Sequence, residues 1–302
     1  MAAARGRAAA PTRGPVGGDV LLDAYVDVLH FSRDLARIAS GLLGPRVTTN
    51  RHVQILQLVA RRPGISPSEL ADALLLHRSA ASRLIRRLER EGLLRRRPDD
   101  TDRRVSRLEF TTPGRAATAA LTRAVDRHLA AAADGYRSVG RSLTEAAHGC
   151  GAPAGVAGPA MPEGATAVLA RAGAPLAEQL SPWLESFGLA TVTDRAALAV
   201  VRRHGEVRPS RLSEELDLGS SGTTALVGRL VRAGLVERRP DPADGRAALV
   251  RCTPRGAEAV DGAVEILAQH GLEMGEALQQ AADAAEEAVL GADDASGGSG
   301  AA

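Results

Sequence analysis

The sequence predicts a mostly α-helical chain with two small β-hairpins, built as one unit written twice. Three observations carry that expectation. Only 2% of the residues are aromatic while 44% are apolar, so the cores must be packed from Ala, Leu and Val, which suits helices and disfavours a large β-sandwich. A shift of 142 positions superimposes Gly92 on Gly234 and brings long ungapped stretches into agreement around them. Within each copy the hydrophobic period changes from helical to alternating just after that glycine. At 302 residues the chain can bury a sizeable core, and one or two globular domains are expected.

In the first copy, Leu22, Val26, Leu29, Ala36, Ile38, Ala39 and Leu42 recur at roughly helical spacing and predict a helix over 21–43, stopped by Gly44-Pro45. Thr48-Thr49-Asn50 caps a second helix that carries Val53, Ile55, Leu56, Leu58 and Val59 and ends at Pro63-Gly64. Ser66-Pro67-Ser68-Glu69 has capping-box spacing and opens a short helix bearing Leu70, Ala73 and Leu74. Arg78 to Glu91 follows, with Ala81, Leu84, Ile85 and Leu88 turned inward and Ser79, Ser82, Arg83, Arg86 and Arg90 on the opposite face. Leu93 to Arg97 and Val105 to Thr111 are short strands around a basic turn, and Thr112-Pro113-Gly114 starts a long Ala-rich helix toward Tyr136. This element order is that of a winged helix-turn-helix, where a short helix props the next into the major groove and the hairpin reaches the neighbouring backbone or minor groove.

The shift pairs Pro67, Ser68, Leu70 and Leu74 with Pro209, Ser210, Leu212 and Leu216, and Leu84, Arg87, Leu88 and Arg90 with Leu226, Arg229, Leu230 and Arg232. Asp102, Arg104, Thr111 and Gly114 match Asp244, Arg246, Thr253 and Gly256. The expected organisation is a disordered tail over 1–18, a first unit over 19–148, and a Gly/Pro/Ala linker over 149–164. A second unit over 165–290 and a disordered tail over 291–302 complete it. Two tandem winged helix-turn-helix domains with long flanking dimerisation-type helices result.

The net charge of +2 hides a division. From Arg51 to Glu109 there are 14 Arg against 8 acids, and from Arg195 to Arg251 there are 11 Arg against 7, so both hairpin-bearing segments are basic. Beyond Arg255 there is no Arg or Lys but ten Asp or Glu. All basic residues are Arg, which fits either a codon bias or a use for bidentate phosphate and guanine contacts. Cys150 and Cys252 cannot build a disulfide framework, and the opening stretch lacks an apolar signal core, so a cytoplasmic protein is expected. No apolar run approaches the roughly 20 residues of a membrane-spanning helix. Gly-rich phosphate loops, HExxH and nucleophile elbows are missing, which leaves neither an enzyme nor a cofactor to expect. The seven histidines show no ligand spacing, so no metal is expected.

The stretch SELADALLLHRSAASRLIRRLEREGLLRRRPDDTDRRVSRLEFTTPG resembles the multiple-antibiotic-resistance regulator (MarR) family of bacterial winged-helix repressors, and RLSEELDLGSSGTTALVGRLVRAGLVERRPDPADGRAALVRCTPRG is similar in the same places. The diagnostic part is the wing, Asp102-Arg103-Arg104 followed by a strand and Thr111-x-x-Gly114. The resemblance implies a repressor of transcription that binds double-stranded operator DNA through Arg78, Ser79, Ser82, Arg83, Arg86, Arg103 and Arg104. The second copy would contribute Ser220, Ser221, Thr223, Thr224 and Arg246, with Asp102 and Asp244 orienting the wing arginines. Arg78, Arg83 and Arg86 face Ser220, Ala225 and Gly228 across the repeat, so the halves cannot read DNA identically.

Because family members ordinarily act as symmetric homodimers, the tandem implies an intramolecular pseudo-dimer with unequal half-sites, further self-association being left open. A small lipophilic anionic effector is the other partner the resemblance implies. The alternative is a tandem scaffold whose second lobe binds protein instead of DNA. Arg95, Arg96 and Arg97 fit either phosphate clamps or a hydrated strand edge, and His77 either touches DNA or caps a helix. Tyr25, Phe31, Trp183 and Phe187 are expected in interface packing rather than in an effector pocket. Cys252 lands on Phe110 across the repeat, which points to a small buried apolar role and not to the peroxide sensing some members carry out.

Overall fold

The computed structural model describes residues 18–44, 50–74, 76–99, 105–149 and 164–297. In the first half α1 (Gly18–Leu43) and α2 (Asn50–Arg61) precede α3 (Pro67–Ala73) and α4 (Arg78–Arg90). The hairpin β1 (Leu94–Pro98) and β2 (Ser106–Phe110) comes next, then α5 (Thr112–Ala131) and α6 (Ala133–Gly149). The second half repeats the order with α7 (Ala165–Ser186), α8 (Val192–His204), β3 (Glu206–Val207), α9 (Pro209–Glu215) and α10 (Ser220–Arg232). It ends in β4 (Val236–Asp241), β5 (Asp244–Cys252), α11 (Pro254–Gln269) and α12 (Gly271–Gly297). The fold is therefore mostly α with two small antiparallel wings, a winged helix-turn-helix in each half.

Both wings are antiparallel, with Leu94 opposite Phe110 in the first and Val236 opposite Cys252 in the second. The second sheet has the order β3-β5-β4, whereas the first half keeps only hydrogen bonds between Leu108 and Gly64 and Ile65 at the third-strand position. The Thr-x-x-Gly motif has the same physical cause in both halves. Thr111 Oγ1 accepts from the Gly114 N–H at 2.9 Å and Thr253 Oγ1 from the Gly256 N–H at 3.1 Å, capping α5 and α11. Each hydroxyl also donates to the carbonyl of the turn glycine behind it, Gly92 or Gly234. A Cβ on Gly114 or Gly256 would overlap the carbonyl of Leu93 or Leu235, so only glycine lets the helix start lie this close to the wing.

Two helical expectations are corrected. The Ala-rich helix expected to run toward Tyr136 ends at Ala131, and α6 starts at Ala133. Local propensity favours continuing it; tertiary packing overrides, because Tyr136 is fully buried with its ring stacked on Phe31 at 3.8 Å. At the other end α12 continues to Gly297, past the tail boundary expected at 290, although the added stretch Gly-Ala-Asp-Asp-Ala-Ser-Gly holds few good helix formers.

The halves interlock through their long helices. α1 packs on α8 and α11, α7 packs on α2, and α6 lies along α12. Tyr25, Val26, Ile55, Leu56, Leu143 and Ala282 are buried in this layer, and each large apolar side chain so buried contributes about 1.5–3 kcal/mol. Ion pairs rim it, with Asp23 on Arg203 at 2.7 Å, Arg51 on Glu178, and Arg137 reaching both Asp283 at 2.8 Å and Glu286. Exposed pairs contribute about 0–1 kcal/mol each, so apolar burial decides the association and the charges set its register. At the α6–α12 crossing a Cβ on Gly140 would lie 2.6 Å from the Gly275 carbonyl, and one on Gly275 would lie 2.5 Å from the Gly140 carbonyl. The two backbones touch there.

Candidate nucleic-acid interface

The short helix α3 holds the helix after it in place through a full capping box. Ser66 Oγ accepts from the Glu69 N–H at 3.2 Å, and Glu69 accepts from the Ser66 N–H at 2.7 Å. The Ser66 backbone N–H holds the Glu69 carboxyl below its usual value. Glu69 also takes Arg107 of β2 at 3.1 Å, tying α3 to the wing. Helix α4 starts at His77, whose ring accepts from the Ser79 N–H; between the two roles open to this histidine, the cap is the one its geometry fills.

Along α4, Ala81, Ile85 and Leu88 are buried and Leu84 is half-buried. Arg78, Ser79, Arg83, Arg86, Arg87 and Arg90 are exposed and Ser82 is half-buried. Among the described residues none of Arg78, Arg83, Arg86 and Arg87 has an acidic partner, which leaves a bare cationic face on one helix. The strand beside it differs. Arg95 pairs with Glu109 at 3.0 Å and Arg96 with Glu89 at 2.9 Å, so the wing strand is a compensated, hydrated edge. Asp102, Arg103 and Arg104 lie outside the described residues.

In the second half the corresponding face has little charge. Ser220, Ser221, Thr224 and Ala225 are exposed and Gly228 is half-buried. The Thr224 hydroxyl donates to the Ser220 carbonyl at 2.9 Å, so its proton is already used. Thr223 corrects its expected place on the outer face: it is 2% exposed, and its hydroxyl donates to the Gly219 carbonyl. Its counterpart across the repeat is Ala81, a position already turned inward by periodicity. The turn of the second wing is ordered by Asp241, which accepts from the Ala243 N–H at 2.9 Å and from Arg208 at 2.8 Å; the Ala243 N–H, then Arg208, hold that carboxyl below its usual range. Asp244 is exposed at the head of β5, and Arg246 lies on the same strand.

The anchor behind each reading helix carries no local sequence signal. In the second half Asp194 of α8 is buried and accepts from Arg229 of α10 at 2.7 and 3.1 Å, while Thr191 donates to its other oxygen at 2.6 Å. The same two positions in the first half are His52 and Arg87. His52 is fully buried, and burial, then Arg87, pushes its pKa down to about 4. A neutral imidazole cannot neutralise Arg87 as Asp194 neutralises Arg229. Arg87 therefore joins the bare face of α4, and applying the repeat shift to His52 would have found it. Asp194→Asn should lower stability by about 1–2 kcal/mol, since Arg229 is half-exposed and can rehydrate. Urea unfolding checks this, and an unchanged midpoint would contradict it.

The aromatic residues pack rather than line an opening. Tyr25 is 1% exposed, Phe31 stacks on Tyr136, and Trp183 meets Phe187 edge-on at 5.1 Å while its Nε1 donates to Ala259 O at 3.0 Å. Cys252 is partly buried, and burial pushes its thiol up to about 12, against the attraction of Arg202. A thiol so perturbed is a poor nucleophile at neutral pH. Cys150 lies outside the described residues. Among the described residues no cluster of His, Cys, Asp and Glu could hold a metal ion, and no helix is long and apolar enough to cross a membrane.

Comparison with known proteins gives matches in both halves. The sequence profile described as MarR family matches residues 47–105 and 191–247, each stretch covering one helix-turn-helix and the first strand of its wing. A protein of Thauera aromatica described as a transcriptional regulatory protein for the hcr operon is 41% identical over 73 residues, 24% of this chain and 44% of that protein. The multiple antibiotic resistance protein MarR of Salmonella typhimurium is 36% identical over 67 residues, 22% of this chain and 46% of that protein. The chain thus spans less than half the length of these relatives. A crystal structure of a mutant MarR from E. coli complexed with operator DNA is 25% identical, with a TM-score of 0.30, over 40% of this chain and 83% of that one.

Proposed function

Starting from two MarR-family winged helices in tandem in one chain, we propose a double-stranded DNA-binding transcriptional regulator that acts as an intramolecular pseudo-dimer. The observation that carries this reading is the uncompensated arginine face of α4. A guanidinium on a reading helix either forks onto guanine or neutralises phosphate, and an ordinary solvated face would be interleaved with acids. Arg78, Ser79, Arg83 and Arg86 contact base edges, and Arg87 and Arg90 hold backbone phosphates. In the wing Asp102 orients Arg104 for the minor groove, and Arg103 adds a further DNA contact.

The second half follows the same plan with weaker groups. Ser220, Ser221 and Thr224 meet the backbone, and Asp244 positions Arg246. The two units, 19–148 and 165–290, occupy unequal half-sites of one operator, and the outcome is repression in the cytoplasm. Control comes from a small lipophilic anion that prefers one spacing of the two halves and so shifts the population away from the DNA-competent state.

Salt-titrated binding to a mixed-sequence duplex tests the proposal. Four to six phosphate contacts predict a log–log slope near about −4 to −5; a slope near zero would overturn it. A second reading rests on one observation, that residues 220–228 carry no charge. In it the second half docks a protein, and only the first half contributes to the salt slope.

A further inference from the structure

We propose that Arg33 and Arg37 of α1 are positioning residues for α10, the reading helix of the other half, and that Glu178 of α7 is one for α4, so that each reading helix is aimed from the half it does not belong to. Only the consequence for DNA rests on the proposed function; the crossed ties stand on the geometry of the chain.

Three residues, Leu216 to Leu218, separate the end of α9 from Gly219, the cap of α10. The chain turns sharply there. Asp217 has φ 45, the one positive φ outside glycine among the described residues, and such a conformation persists where its surroundings hold it. The Leu216 carbonyl belongs to the end of α9, where the helix itself supplies no further donor. Arg33 Nη2 donates to it from α1. One turn further along α1, Arg37 meets the Asp217 carboxylate at 3.5 Å and Asp34 of its own helix at 4.0 Å. Cations are favoured at a helix C-terminus, and here both come from the first half.

The first half reaches the same end with other residues. Leu74 stands where the second half has Leu216, and its carbonyl accepts from Arg51 Nη1 at 3.4 Å. Arg51 Nη2 pairs with Glu178 of α7. Arg51 Nη1 also donates to Gln54 Oε1 at 3.0 Å, and Gln54 Nε2 donates to the Ala170 carbonyl of α7. Under the repeat shift Arg33 lands on Pro175 and Arg51 on Thr193, so neither tie is a copy of the other. Two unrelated arginines converge on equivalent backbone carbonyls, and each connects that carbonyl to a long helix of the opposite half. A cap alone needs only a residue of its own half. Because the ties cross, a displacement of one half drags the turn that launches the other half's reading helix, and the separation of α4 and α10 is held as a single dimension.

Amide hydrogen exchange of the full chain, without DNA, tests the crossing. Equivalent backbone bonds serve as probes: Leu218 N–H to Ser213 O and Thr223 N–H to Gly219 O, both 2.9 Å, in the second half, and Leu76 N–H to Ala71 O at 2.8 Å and Ala81 N–H to His77 O at 3.1 Å in the first. Arg33→Ala with Arg37→Ala should speed exchange at Leu218 and Thr223 by about tenfold, as loss of a charge-assisted contact loosens a local unit, and leave Leu76 and Ala81 unchanged. Glu178→Ala should do the reverse, by about threefold, because its pair with Arg51 is partly exposed. Unchanged exchange at Leu218 and Thr223, or equal acceleration at all four amides, would overturn the proposal. Duplexes with one base pair inserted between the half-sites test the consequence for DNA. The native chain should bind them about tenfold or more weakly than the selected operator, and the Arg33→Ala, Arg37→Ala chain less than about threefold more weakly, since a loosened separation tolerates a changed spacing. Full discrimination by that variant would overturn the aiming of α10. Exchange is read without DNA, so a chain that binds no duplex defeats the DNA reading and leaves the crossed ties to be judged on their own amides.

Discussion

Replacing Arg83 and Arg86 together with alanine is expected to weaken binding of the chain to its duplex by about a hundredfold to a thousandfold, from about 1–3 kcal/mol for each bidentate base contact. Both side chains are exposed on α4 and neither has an acidic partner among the described residues, so their removal disturbs no internal contact and the loss falls on DNA. Ser221→Ala and Thr224→Ala in the second half should cost less than about threefold each, in keeping with neutral hydroxyl contacts of about 0.5 kcal/mol. Arg87→Ala should behave differently from both. It removes a phosphate contact, lowers affinity on all sequences alike and reduces the salt slope by about 0.9. Fluorescence anisotropy over a salt series separates the three classes. Equal losses from the two halves would contradict the unequal half-sites.

The second large effect concerns the joint between the halves. Gly275→Leu should destabilise the chain by about 3 kcal/mol or more, because overpacking a close crossing forces backbone apart. A Cβ there would lie 2.5 Å from the Gly140 carbonyl and also against the Thr144 hydroxyl, so relief requires α6 and α12 to separate along their length. Gly291→Ala on the same helix is the control, since a Cβ at that position meets nothing within 4 Å. It should stabilise by about 0.5–1 kcal/mol through helix propensity. Calorimetry reads both, and a neutral Gly275→Leu would mean that the crossing is not what holds the halves together.

Much of this architecture is legible in the chain because its signals are local. The capping box at Ser66, the Thr-x-x-Gly steps at Thr111 and Thr253, and the apolar stripe opposite Arg83 are each set within a few residues, and the repeat doubles each of them. What periodicity could not show is long-range. It gave no sign that α1 would pack on α8 of the other copy as well as on its own, that Tyr136 would break the Ala-rich helix at Ala132, or that Gly140 and Gly275 would meet. The misplacement of Thr223 has a different cause. Residue type points a threonine outward whereas spacing turns its repeat partner Ala81 inward, and in a helix a threonine hydroxyl can satisfy itself on the carbonyl four residues back. The exchange of Asp194 for His52 was visible in the aligned copies, but its meaning depends on burial, which no sequence pattern supplied.

In the proposed complex one chain provides both DNA-contacting lobes, with unequal grip. Light scattering of the purified complex on its selected operator, combined with hydroxyl-radical footprinting of both strands, tests that most directly. One chain per duplex is predicted, with strong protection over one half-site and weaker, backbone-only protection over the other. Two chains on one duplex with mirror-symmetric protection would contradict it.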